Sequence, residues 1–118
     1  MWAVVEASNV HILIAGNLYI KLRAHLKNPC QAYMSDMKVR VDDNFYYPNL
    51  VVNCQLSVAP FYYLNTPILI IEVLSPSTEI RDRLEKRLAY KQLENLQEDT
   101  LISQKKALIE VYRRMSGR

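Results

Sequence analysis

The pattern of apolar and polar positions divides this chain into a helix, a run of short strands, a second helix and two closing strands. Between His11 and Lys27, the positions His11, Ile14, Ala15, Leu18, Leu22, His25 and Leu26 fall on one arc at helical spacing. Arg23 and Lys27 lie off that arc, and Asn28-Pro29 ends the helix. Cys30 to Met34, Met37 to Val41, Phe45 to Tyr47 and Leu50 to Leu56 then read as short strands, with Asp42-Asp43-Asn44 as a turn cluster. Ala59 to Thr66 reads as a loop carrying Phe61, Tyr62 and Tyr63. Such aromatics stack on bases in some proteins but more often cap a core.

Pro67 opens the most apolar stretch of the chain, Ile68 to Leu74, whose β-branched content predicts a strand buried on both faces. Ser75-Pro76 ends it, and a helix follows from about Thr78 to Leu93. On that helix Ile80, Leu84 and Leu88 form an apolar stripe, while Asp82, Lys86 and Tyr90 repeat every four residues beside Ala89 and Leu93. Asp99 to Gln104 and Ala107 to Arg113 read as the last two strands, joined at Lys105-Lys106.

One residue breaks the apolar strand. Glu72 shares a face with Ile70 and Leu74, so its carboxylate points into apolar surroundings, where it needs a cation, a metal or a set of donors. Two readings of the Asp82–Lys86–Tyr90 line bear on it. An Asp–Lys pair at this spacing is ordinarily a solvent-facing ion pair. Alternatively, the line faces the strand and delivers the Lys86 ammonium to Glu72. His11, on the apolar arc of the first helix, reads first as a hydrogen-bonded core histidine and second as a functional one.

Length and composition narrow the classes. With 118 residues the chain has room for one domain and one core. No apolar run approaches the ~20 residues of a membrane helix, and Glu6 interrupts the apolar start, so neither a membrane span nor a secretory signal is expected. Cys30 and Cys54 show no metal-ligand spacing, which predicts reduced, packed thiols in a cytoplasmic protein. Two glycines are too few for a phosphate-cradling loop, and no Ser-His-Asp arrangement is present. The net charge of +3 permits nucleic-acid binding without demanding it.

Taken together, the motifs resemble the Uma-two family of restriction-endonuclease-like proteins, a branch of the PD-(D/E)XK nuclease superfamily. The carriers are His11 with Ile14 to Leu18, Ser35 to Val41, Tyr46-Tyr47-Pro48-Asn49, and Ile71 to Thr78. Asp82, Lys86, Tyr90, Leu101 to Gln104 and Val111-Tyr112-Arg113 continue the match. The resemblance implies an α/β (α+β) fold, a mixed central sheet flanked by helices, in a single domain spanning residues 1–118 and trimmed at both ends relative to the family. It implies Mg²⁺ or Mn²⁺ held at positions 49 and 72, with Lys86, on the helix rather than the strand, acting on the water. His11, Asp82, Tyr90 and Gln104 would be supporting residues. DNA is the implied substrate, and a homodimer is the expected assembly.

The chain departs from that pattern at Asn49, where the family has aspartate. An amide oxygen still coordinates Mg²⁺, but the site loses a full negative charge. Weak metal binding and weak or absent cleavage are therefore expected. The alternative is a catalytically dead relative that serves as a nucleic-acid-binding or dimeric interaction module.

Overall fold

The computed structural model of the protein describes residues 9–35, 37–55, 59–74, 79–103 and 108–114, with the backbone alone for 79–83 and 108. Its centre is the apolar strand, here β6 (Leu69–Leu74). The elements before it are α1 (Asn9–His25), β1 (Gln31–Met34), β2 (Lys38–Val41), β3 (Asn44–Tyr46), β4 (Leu50–Asn53) and β5 (Tyr63–Leu64). After it come α2 (Glu79–Tyr90), β7 (Glu98–Ser103) and β8 (Leu108–Arg113).

A five-stranded sheet has the order β1-β4-β6-β7-β8. β6 pairs antiparallel with β4, with Leu50 opposite Ile71, and parallel with β7, with Glu72 opposite Leu101. The other neighbours are antiparallel, so the sheet is mixed. Parallel neighbours need a crossover, and α2 lies within the connection from β6 to β7. Covering on both faces explains the unbroken apolar reading of β6. Ile70 and Leu74 on one face and Ile71 and Val73 on the other are all buried. α1 packs against β1 and β6, and α2 against β7.

A second, three-stranded sheet has the order β3-β2-β5. The β2–β3 hairpin turns at Asp42-Asp43, where Asp42 has φ 54°, a left-handed conformation that Asp adopts more readily than most residues. β5 pairs parallel with β2, so the stretch Ala59 to Thr66 is not wholly a loop. Val39, Val41 and Leu64 on the inner face of this sheet join Val51 and Ile70 of the large sheet and Ala89, Tyr90 and Leu93 of the α2 region in one core.

One further expectation is overturned. Cys30 and Cys54 are not free thiols but form a disulfide. The β1–β4 register places Gln31 opposite Asn53, so the next residues outward are Cys30 and Cys54, facing each other at the end of the ladder. On α2 the described residues of the apolar stripe face solvent, and the reading that turns the Lys86 line toward the strand is the one that holds. Leu84 is 66% and Leu88 64% exposed. The helix turns its other side inward, burying Ala89 and Tyr90. The side chains of Ile80 and Asp82, and the whole of Gln104, lie outside the described residues.

Candidate active site

Alternation along β6 aims Glu72 at α2, in the middle of the large sheet, and leaves it 2% exposed. Removing a carboxylate from water costs several kcal/mol unless donors replace the lost hydration. α2 supplies two. The Lys86 ammonium donates to Glu72 Oε1 at 3.1 Å, and the Tyr90 hydroxyl donates to Oε2 at 3.2 Å. The i,i+4 spacing makes this possible by stacking Lys86 and Tyr90 on one face of the helix. Lys86 keeps its side chain one-quarter exposed while its ammonium reaches the buried carboxylate.

Tyr90 is fixed as a donor. Burial pushes the ionisation of its phenol far upward, and the Glu72 charge and hydrogen bond, with Asp99 and Tyr46 nearby, push it the same way. Its ring also meets Tyr46 edge to face, with centroids 5.6 Å apart. Tyr90 therefore ties the small sheet, α2 and Glu72 together.

Asn49 sits one residue beyond the β4 ladder, at the register position opposite Glu72. Its Oδ1 accepts the Val73 N–H at 2.8 Å. His11 Nε2 lies 2.8 Å from the Val73 carbonyl oxygen and 3.4 Å from Asn49 Nδ2. A carbonyl only accepts, so Nε2 carries the proton and donates to Val73 O; the 3.4 Å approach to the Asn49 amide is then a contact between two donors. Thus the hydrogen bonds bring Glu72, Lys86 and Tyr90 into one group and His11 and Asn49 into another. The two groups meet at consecutive residues, Glu72 and Val73.

Sequence reading missed a second buried acid. Asp99 lies on the same face as Leu101 and Ser103 of β7, in register with Ile70. Burial raises its carboxyl to about 6, against a smaller opposing pull from Arg87. Its Oδ1 and the Arg87 Nε are buried without hydrogen-bond partners. Arg87 instead stacks on Tyr112, with its guanidinium carbon 3.7 Å from the ring centroid. The alternation Asp99–Leu101–Ser103 was the available signal.

A divalent cation would find oxygen donors in Glu72 and in the Asn49 amide, but only one of these is charged. Among the described residues no group of three or more His, Cys, Asp or Glu side chains is placed to hold a metal. Mg²⁺ is commonly held by one or two carboxylates together with substrate phosphate and water, so the donor set fits in kind and falls one charge short. Among the same residues no helix is long and apolar enough to cross a membrane.

Comparison with known proteins places these features in a family. Residues 1–118 match the Uma2 family, described as "Putative restriction endonuclease". An uncharacterized protein of Synechocystis sp. is 30% identical over 116 residues, covering 95% of this chain and 61% of the relative. The chain therefore spans about three-fifths of that relative's length. A crystal structure from Anabaena variabilis, described as a "putative nuclease belonging to DUF820", superposes with a TM-score of 0.75 at 17% identity, over 96% of this chain and 67% of that one. At that identity the superposition establishes a shared fold.

Proposed function

The chain belongs to the Uma2 family of restriction-endonuclease-like proteins, and from that premise we propose that its site is built to hydrolyse phosphodiester bonds in DNA, with activity weakened by Asn49. The observation that carries this reading is a carboxylate buried in the central strand, bonded to a lysine from the crossover helix at 3.1 Å, with residue 49 opposite it in register. A buried acid–lysine pair beside a second potential ligand is an arrangement for chemistry on a phosphate ester.

Each group has a distinct task. Glu72 and the Asn49 oxygen would hold Mg²⁺ or Mn²⁺, which when bound polarises the phosphate and lowers the pKa of water. Lys86, one-quarter exposed, has the reach to exchange its bond with Glu72 for one with a phosphate oxygen or the attacking water. Tyr90, which stays protonated, keeps one oxygen of Glu72 in place while Lys86 moves. His11 holds the Val73 carbonyl and so sets the end of the strand beside the site.

A second reading, a relative that binds nucleic acid without cutting it, is favoured by one feature: the group opposite Glu72 is a neutral amide. Asn49→Asp separates the two. The new carboxylate would keep the Val73 N–H on one oxygen and leave its second oxygen for a cation. Divalent-metal binding by calorimetry and Mn²⁺-dependent cleavage of plasmid DNA should both rise well above the parent, and Glu72→Gln in the same background should remove the gain. A folded Asn49→Asp protein that neither binds metal nor cuts DNA would support the non-cutting relative.

A further inference from the structure

The outer face of the three-stranded sheet carries a group of side chains that core packing does not explain. Alternation sends Val39, Val41 and Leu64 inward, and it sends Lys38, Arg40, Phe45 and Tyr63 outward together. Arg40 lies opposite Phe45 in the β2–β3 register, and Lys38 lies opposite Tyr63 in the β2–β5 register. The two rings lean over β2 and meet edge to face, with centroids 5.8 Å apart. The Lys38 ammonium lies 4.8 Å from the Phe45 centroid and the Arg40 guanidinium carbon 5.7 Å from the Tyr63 centroid. Phe45 is 46% and Tyr63 39% exposed, large for aromatic rings. Arg40 is steadied by donating its Nε–H to the Asp42 carbonyl at 2.8 Å, and its Nη2 lies 3.9 Å from the solvent-exposed Asp43 carboxylate, a loose pair that a phosphate would displace. The face thus interleaves rings and cations.

That combination matches the chemistry of a nucleic-acid strand whose bases are unpaired. Each base has a π-face that stacks on an aromatic ring or a guanidinium plane, and each phosphate is an anion for the adjacent cation. In a duplex the bases are stacked on one another and out of reach of such rings. The face also lies beside the site. β3 leads through Tyr47 and Pro48 to Asn49, so Phe45 and Asn49 are four residues apart, at most about 14 Å of extended chain.

We propose that the outer face of the β3-β2-β5 sheet holds unpaired bases of the nucleic acid on which the site acts, through Phe45 and Tyr63 for the bases and Lys38 and Arg40 for the phosphates. This rests on the nuclease reading and adds a substrate class to it: single-stranded DNA, or duplex DNA with an unpaired stretch next to the cut.

The test is fluorescence anisotropy with the full chain in EDTA, where metal-dependent cleavage is silent, using a labelled mixed-sequence single strand and its duplex. The parent should bind the single strand more tightly than the duplex. Phe45→Leu and Tyr63→Leu keep apolar bulk but remove the π-face, and each should weaken single-strand binding about tenfold. Phe45→Tyr should restore it. Lys38→Gln should lower the slope of log affinity against log salt by about 0.7, the value for one phosphate contact on a single strand. Equal binding of single strand and duplex, unchanged by either leucine variant, would overturn the proposal, as would no binding of either. The cleavage assay on Asn49→Asp is scored separately. Cleavage that survives both leucine substitutions on single-stranded and duplex DNA alike would leave the nuclease reading standing without this surface. Ring-dependent single-strand binding with no cleavage in Asn49→Asp would leave the surface standing without the nuclease.

Discussion

At Glu72, Lys86 has a structural task as well as the proposed catalytic one, and the two can be told apart. Removing the ammonium leaves a buried carboxylate with one donor fewer. Lys86→Met should therefore destabilise the fold by about 2–3 kcal/mol, less than the full cost for a wholly buried pair because Lys86 is partly exposed. Adding Glu72→Gln removes the stranded charge and should recover most of that loss in urea unfolding. If the double variant is no more stable than Lys86→Met alone, the 3.1 Å bond is not what holds the pair. Asp99 makes a pH prediction of opposite character. Its folded-state carboxyl is raised to about 6 by burial, so the native state binds a proton that the unfolded chain has released by then. The stabilisation is complete below the unfolded value of about 3.9 and is lost as pH rises through 6, a change of about 3 kcal/mol. Asp99→Asn should flatten this part of the pH dependence. The parent-minus-variant difference in unfolding free energy should thus fall between pH 4 and pH 7, and a constant difference would contradict the assignment.

At the scale of elements, α2 shows what periodicity conveys and what it leaves open. Its helical character and its two candidate faces are legible in the spacing, but the spacing alone does not decide which of them turns inward. The rotation is set by long-range contacts: Lys86 and Tyr90 must reach Glu72, and Ala89 and Leu93 must fill the core beside them. Those partners are more than a dozen residues away, so local patterning does not weigh them. The same cause hides the disulfide and β5. Cys30 and Cys54 become neighbours only through the β1–β4 register, and a two-residue strand has no pattern to read. β6 was legible because burial on both faces leaves a continuous apolar run, and Glu72 stood out within it. The orientation of the helix is directly testable. Leu88→Ala, at a residue 64% exposed, should change stability by less than about 0.5 kcal/mol. Leu93→Ala, within the core, should cost about 2–5 kcal/mol. Equal costs at the two positions would mean that Leu88 also packs inward.

For the whole molecule, two sheets raise the question of how many folding units the chain contains. The small sheet has three short strands and one covered face, too little to stand alone. Its inner residues Val39, Val41 and Leu64 share one core with Ile70 of the large sheet and with Tyr90. Tyr90 touches Tyr46 of the small sheet while donating to Glu72 of the large one, so loosening either sheet disturbs the site. The expected behaviour is a single cooperative unit. Val39→Ala removes two methyl groups from a fully buried position and should cost about 2 kcal/mol. Native-state hydrogen exchange reads where that loss is felt. In one unit the slowest amides of β2 and of β6 exchange only through global unfolding, so the substitution should lower the protection of both by the same amount. A loss confined to β2 would mean that the small sheet opens independently. The Tyr46–Tyr90 contact would then not couple the aromatic outer face to the Glu72 cluster.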